Sequence, residues 1–311
     1  MRIGIDLGGT YIVAGVVDGA GKIVARMKTP TLPARGPADV VGDMVRTARE
    51  AAGNAGISRD DIESVGIGSP GSVDSAAGVI TFSGNLGFKL LPLARMFREG
   101  WDVPVSIGND ANAAALGEYH FGAGKDFRSL IMVTLGTGVG GGIVFDGRIH
   151  EGFNGAAGEI GHMVISKDGA PCTCGRLGCF ESYSSATALV RMTKEEMESN
   201  PDGGLERFYA EKVNGRTAFD AARRGNASGE RVVKEYISYL ACGIGNLVNL
   251  FQPEVLCIGG GVSGEGEYLL DRLRPAAVRE FFDTADRLCE LRMAELGNDA
   301  GIVGAAMLGG T

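Results

Sequence analysis

The sequence predicts an α/β protein of two lobes. Two observations carry this expectation. A glycine-rich strand–turn–strand hairpin occurs twice in register, and short apolar strand patterns alternate with helical patterns elsewhere. The first copy runs from Ile3 through Asp6-Leu7-Gly8-Gly9-Thr10 to an Asp18-Gly19 turn. The second runs from Ile131 through Leu135-Gly136-Thr137-Gly138 to Asp146-Gly147. Leu7 to Asp18 and Leu135 to Asp146 are both eleven positions, so the copies align without a gap, as a duplicated half would. The Asp-Gly pairs mark antiparallel turns.

The remaining elements follow from periodicity. Val40, Val41, Met44, Val45, Ala48 and Ala52 share one helical face, predicting a helix over 40–55. Strands are expected over 64–68, ending at Ser69-Pro70-Gly71, and over 103–107, ending at Gly108-Asn109-Asp110. Helical patterns cover 111–119, 232–251, 267–282 and 300–308, and a strand covers 255–258. Pro253 stops the long apolar helix. Residues 192–216 are charged and marked by Gly and Pro, and read as a surface excursion between helices. Small residues in 108–115 and 297–306 predict two helices that pack closely and form a hinge.

Composition excludes several classes. Hydrophobic content of 44% and charged content of 22% fit a soluble globular protein. No apolar run approaches the roughly 20 residues of a membrane span, and MRIGIDLGGT enters a strand pattern without a signal-peptide core. A net charge of −8 disfavours nucleic acid as a partner. Six cysteines in 311 residues are no disulfide framework, and Cys242 and Cys257 lie in apolar runs as core residues. Reduced thiols and a cytoplasmic location are the consistent expectation.

Four soft ligands, His162, Cys172, Cys174 and Cys179, fall within eighteen positions among Gly and Pro. One imidazole and three thiolates fill a tetrahedral zinc site and leave no open position, so the metal is expected to be structural. Glu159 and Glu181 flank the cluster. A water-bearing zinc of the deaminase kind uses P-C-x-x-C, and Pro171-Cys172-Thr173-Cys174 is one residue too short.

The glycine loops offer bare backbone N–H groups that can cradle an anion, with hydroxyls from Thr10 and Thr137. The second loop also matches G-x-G-x-x-G at Gly136, Gly138 and Gly141. A dinucleotide fold needs a helix directly after it, and a strand follows instead. No Walker-type G-x-x-x-x-G-K-[ST] run is present.

With these motifs in place, the chain resembles the ROK sugar-kinase family on the actin-like ATPase fold. DLGGT at 6–10 and LGTGVGGG at 135–142 are similar to the two phosphate motifs of that fold, and IGGGVS at 258–263 to its adenosine motif. GNDANAAA at 108–115 and GNDAGIVGAA at 297–306 resemble the connecting helices, and His162 through CTCGRLGC the zinc motif. The resemblance covers essentially the whole chain. It implies a two-lobed actin-like ATPase (ribonuclease H-like) fold, with duplicated βββαβα halves and an interlobe cleft. The small lobe is expected at 1–108 plus 298–311, and the large lobe with the zinc motif at 109–297.

The resemblance also implies roles. ATP is expected on Asp6, Gly8, Gly9, Thr10, Gly136, Thr137, Gly138, Gly260 and Gly261, with Asp6 as the carboxylate for Mg²⁺. Asp110 is implied as the catalytic base; on local pattern alone it fits equally well as the N-cap of its helix. Gly71, Asn85, Asn109, Asp110, Glu159, His162 and Glu181 match the family's sugar contacts. Phe88 stands where relatives often carry Trp. The implied activity is ATP-dependent phosphorylation of glucose to glucose 6-phosphate, in a homodimer or homotetramer. Fructose, allose or N-acetylmannosamine are alternative acceptors, and polyphosphate or ADP alternative donors. A sugar-responsive regulator of the same family is the reading from another class, and the acidic chain weakens it.

Overall fold

The computed structural model describes residues 1–282 and 288–310. The chain opens with β1 (Arg2–Leu7), β2 (Tyr11–Val17), β3 (Ile23–Pro30) and α1 (Pro37–Asn54). Strands β4 (Ser64–Ser69), β5 (Ser72–Asp74), β6 (Val79–Ser83) and β7 (Phe88–Leu91) precede α2 (Leu93–Gly100). Then come β8 (Val105–Asn109), α3 (Asp110–Phe121), β9 (Ser129–Leu135), β10 (Val139–Phe145) and β11 (Arg148–Ile149). The remainder is α4 (Glu181–Ser184), α5 (Ala186–Ser199), α6 (Thr217–Arg223), α7 (Ala227–Phe251), β12 (Val255–Gly259), α8 (Glu267–Val278), β13 (Glu290–Met293) and α9 (Ala300–Met307).

Among the described residues these strands form three sheets. One has the order β3-β2-β1-β4-β8, and another the order β11-β10-β9-β12-β13. Position for position the two orders are the same, which is the duplication seen in the hairpins. The copies differ in finish: β3 has eight residues, whereas β11 has two. A small meander, β5-β6-β7, is inserted in the first half.

The chain divides into two compact units. The first comprises Met1–Met132, Gly142–Gly158 and Glu295–Thr311; the second comprises Val133–Gly141 and Glu159–Ala294. These bounds differ from lobes at 1–108 plus 298–311 and 109–297. The reason lies in α3, which packs on α9 and therefore belongs with the first sheet.

Three helical stretches depart from the sequence pattern. Residues 192–199 are the end of α5, which starts where the Ser185 hydroxyl accepts the Ala188 amide at 3.0 Å. Helix α7 begins earlier than expected, at Ala227, under an Asn226 cap. Helix α8 stops at Val278 instead of 282. There Asn249 donates to the Glu280 carbonyl at 2.9 Å and accepts from the Phe282 amide at 2.8 Å, turning the chain off the helix axis. Cys257 is buried as expected, but Cys242 is only half-buried. No helix of the described residues is long and apolar enough to cross a membrane.

In the first unit, α1 packs on β2 and β3 through Val40, Val41, Met44 and Ala48. Helix α9 packs on β1 and β4 with unusually close backbones. A Cβ on Gly4 would overlap the Ile302 carbonyl oxygen, and one on Gly66 the Ala305 carbonyl oxygen. The α3–α9 contact is equally tight: a Cβ on Gly304 would overlap the Ala113 carbonyl oxygen. Neither neighbour is a flexible side-chain end, so the helix itself must move to admit a methyl group. Gly304→Ala is therefore expected to destabilise the protein by at least about 2 kcal/mol. Gly42→Ala, in α1 with open space around the site, should stabilise it by about 1 kcal/mol. Thermal melts of both variants check the pair; equal melting temperatures would contradict the close packing.

Candidate functional site

In the first unit the site residues come from the carboxyl ends of parallel strands. Asp6 on β1 lies opposite Gly68 on β4, which lies opposite Gly108 on β8. The next residues, Asn109 and Asp110, thus leave the sheet at the same edge as Asp6. Asn109 is the N-cap of α3: its Oδ1 accepts from the Ala111 amide at 2.9 Å and the Asn112 amide at 3.2 Å. Its Nδ2 donates to the Gly71 carbonyl at 3.0 Å, fastening the Ser69–Gly71 turn to the helix start. Gly71 has φ +96, open to glycine, and a Cβ there would overlap the Phe82 carbonyl oxygen.

With Asn109 as the cap, Asp110 is the first helical residue, its Oδ1 2.9 Å from the Ala111 amide. Burial raises its carboxyl above the usual carboxylate range; bonds from the Ala111 and Asp110 amides and the Asn109 side chain oppose this. Burial also pushes Asp6 up to about 6, and the Asp110 charge adds to the rise. The two acids therefore sense one another electrostatically.

The first glycine loop is set by hydrogen bonds at its rims. The Gly8 amide donates to the Tyr11 carbonyl at 2.9 Å. Thr31 donates its hydroxyl to the Gly8 carbonyl at 2.7 Å and its amide to the Thr10 carbonyl at 3.0 Å. The Gly9 and Thr10 amides have no partner among the described residues. Asn85, between β6 and β7, adjoins Gly9: a Cβ on that glycine would lie 3.8 Å from the Asn85 Cβ.

In the second unit, Gly136 donates to the Gly138 carbonyl at 3.0 Å and accepts from the Ala186 amide at 2.8 Å. Thr187 donates its hydroxyl to the Thr137 carbonyl at 2.7 Å. The Thr137 and Gly138 amides, like those of the first loop, have no partner among the described residues. Glu181, at the start of α4, accepts the Val139 amide at 3.0 Å, so this carboxylate is pinned beside the loop. A cavity of about 370 Å³ opens here, lined in part by Thr137, Gly138, Thr173, Glu181 and Arg191. Gly260, at φ +83, presses on the end of β9, bringing Gly260-Gly261 to the same loop: a Cβ there would lie 2.6 Å from the Leu135 amide nitrogen.

The metal-type ligands come together as the spacing predicts. The ligand atoms of His162, Cys172, Cys174 and Cys179 lie within 4.8 Å of one another. His162 Nδ1 is 3.6 Å from Cys172 Sγ, and Cys174 Sγ is 3.7 Å from Cys179 Sγ. A zinc–sulfur bond of about 2.3 Å gives a tetrahedral sulfur–sulfur edge of about 3.8 Å, so the four atoms fit zinc. The knuckle is shaped by a turn in which the Gly175 amide donates to the Cys172 carbonyl at 3.0 Å and the Cys172 amide to the Arg176 carbonyl at 2.9 Å. Without a cation, burial and the neighbouring thiols push Cys179 up to about 12. A divalent metal removes that conflict by taking thiolates as ligands. Because Nδ1 faces the cluster, His162 Nε2 is left for another partner. Glu159 precedes the short turn Ile160–His162 and is exposed.

Two supporting residues escaped the sequence reading. Thr31 is fully buried and orders the first loop, yet lies over twenty residues from it. Glu118 is fully buried on α3 and accepts the Ala123 amide at 2.9 Å, the Glu295 amide at 3.1 Å and the Leu296 amide at 2.8 Å. It ties α3 to the segment that leads into α9. The sequence signal was a second acid on an alanine-rich helix.

Comparison with known proteins agrees with this geometry. The ROK family profile matches residues 2–310. The glucokinase of Halalkalibacterium halodurans is 37% identical over 98% of this chain and 94% of its own length. The structure of a ROK family glucokinase from Streptomyces griseus, in complex with glucose and AMPPNP, superposes with a TM-score of 0.81. It is 37% identical and is matched over 99% of this chain and 98% of that one. A ROK hexokinase from Thermus thermophilus gives a TM-score of 0.84 at 34% identity, over 99% of this chain and 97% of that one. The fold is the mixed α/β, actin-like ATPase fold of these sugar kinases. With the match spanning both copies of the hairpin and the His/Cys cluster, the chain belongs to the ROK family.

Proposed function

We propose that the protein transfers the γ-phosphoryl group of ATP to the 6-hydroxyl of glucose. The observation that carries this reading is the pair of half-buried acids, Asp6 and Asp110, at one edge of the first sheet, beside a loop whose Gly9 and Thr10 amides have no partner among the described residues. Similarity to glucokinases along the whole chain supports the acceptor.

Asp110 takes the proton of the 6-hydroxyl as its oxygen attacks the γ-phosphorus and the bond to ADP breaks. A raised carboxyl affinity for protons suits a base that accepts one late in transfer. Asn109, Glu159, Glu181 and His162 Nε2 hold sugar hydroxyls, and Gly71 and Asn85 bound the sugar from the loops. The amides of Gly9, Thr10, Thr137 and Gly138 receive phosphate oxygens, while Gly260-Gly261 adjoins the adenosine. Magnesium, held by Asp6, would neutralise charge on the nucleotide. Zinc on His162, Cys172, Cys174 and Cys179 would do no chemistry; it would hold the imidazole in place beside Glu181. Free and zinc-bound thiols suit the cytoplasm.

Asp110→Asn is expected to lower kcat by about 10²–10⁴-fold with glucose affinity nearly intact. Steady-state kinetics with calorimetric sugar binding check this, and a variant keeping half of wild-type kcat would remove Asp110 from the role.

Asp6 gives a pH-dependent test. Its proton is held more tightly in the folded chain than in the unfolded one, so it favours folding at low pH. That contribution is lost as pH rises from its unfolded value of 3.8 through about 6. In magnesium-free buffer, Asp6→Asn should be more stable than wild type by about 3 kcal/mol at neutral pH, and inactive. The stability gain should shrink toward zero near pH 4. A gain that did not change with pH would contradict the buried-acid assignment.

Purified protein should carry one zinc per chain. Cys174→Ala should lose it, melt at lower temperature and show a raised glucose KM. Active, folded protein free of zinc on elemental analysis would refute a structural metal.

A further inference from the structure

The groups assigned to the nucleotide above include no cationic side chain, although ATP is a polyanion. The first sheet supplies one. Asp6 on β1 lies directly opposite Val13 on β2, and Val13 lies directly opposite Lys28 on β3. Residues paired across strands point to the same face. Lys28 thus sits in one row with Asp6, two strands away, roughly 10 Å across the sheet.

The neighbouring row identifies that face independently. Gly4, Gly15 and Arg26 are paired in the same way. Cβ atoms on Gly4 and Gly15 would both meet Ile302 of α9, and Arg26 donates to both carboxylate oxygens of Asp299 at 2.8 and 2.9 Å. Asp6 itself lies on that side, 3.4 Å from the position of a Cβ on Gly301.

Arg26 is therefore engaged by a carboxylate, and Lys28 is not. Among the described residues no acid lies within 4.0 Å of the Lys28 ammonium. Instead the ammonium stands 3.6 Å from the ring centroid of Tyr11, which directly follows Thr10 of the glycine loop. Both side chains are exposed. A ring face holds a cation in place without neutralising it, so the charge is kept available for an anion.

We infer that Lys28 is a phosphate-binding residue for the nucleotide, held over Tyr11 to reach the β- or γ-phosphate bound at Gly8–Thr10. The inference rests on reading that loop as a phosphate site. Lys28 accompanies Asp6: one neutralises phosphate oxygens directly, the other through its metal. Adenosine and sugar lie outside its role.

The test is calorimetric binding of ATP, ADP and adenosine to wild type, Lys28→Met and Lys28→Arg, with melting temperature and glucose KM alongside. Methionine keeps an apolar stem against Tyr11 and removes the charge. Lys28→Met should weaken ATP and ADP by about 10- to 100-fold, the loss of one charge-assisted hydrogen bond. Adenosine affinity, glucose KM and melting temperature should stay near wild type, and Lys28→Arg should recover most of the lost affinity. ATP and ADP affinities within twofold of wild type in Lys28→Met would overturn the assignment, as would an equal loss for adenosine. Binding is read without turnover, so the two readings fail separately. Wild type that binds ATP but phosphorylates no hexose sinks the kinase reading alone, and wild type that binds no ATP sinks both.

Discussion

Helix α9 lies on its neighbours backbone to backbone, and the site of the first unit depends on that constraint. Gly4 and Gly66 admit it to the sheet, and Gly304 admits it to α3. One helix therefore fixes both β1, which carries Asp6 next to its end, and α3, which begins at Asp110. Glu118 reinforces the arrangement by holding the Glu295 and Leu296 amides to α3. The result is a closely held pair of half-buried acids. Burial costs each of them ionisation, so the geometry opposes the chemistry unless a cation or a transferable proton is supplied. That conflict is the usual mark of a working site rather than a structural one.

The duplicated sheets divide the labour. Both copies keep the order of strands and the glycine loop after the first strand, and both loops present amides without partners among the described residues. The acid of the first strand is retained in one copy only: Thr134 stands in the place of Asp6, whereas the Gly-Asn-Asp that ends in Asp110 recurs at 297–299, where Asp299 is held by Arg26. The other copy carries the His/Cys cluster, whose turns place His162 and Glu181. A metal that fills its own coordination shell is well suited to this, because it replaces a hydrophobic core that so short and glycine-rich a segment cannot build.

Much of this was legible in the sequence because the signals are local. Strand–glycine–strand hairpins, Asp-Gly turns and ligand spacing are fixed by neighbours within about fifteen residues. Long-range pairings were not legible. The small residues of 297–306 pointed to close packing at Gly304, but nothing local marks Gly4 and Gly66 as the glycines that meet the Ile302 and Ala305 carbonyls. Thr31 and Glu118 act on backbone groups far along the chain. On local pattern Asp110 alone was read as the possible N-cap; the structure gives the cap to Asn109, one residue earlier. Helix ends failed where a distant side chain intervened, as Asn249 does beyond α8.

In the proposed transfer, Asp110 activates the acceptor hydroxyl for direct attack, with no nucleophile from the protein. The most direct measurement uses ATP whose γ-phosphorus is made chiral with oxygen isotopes, followed by analysis of the sugar phosphate. A single in-line transfer inverts the configuration at phosphorus, and inversion is the expected outcome. Retention would require a phosphorylated enzyme intermediate and would contradict it.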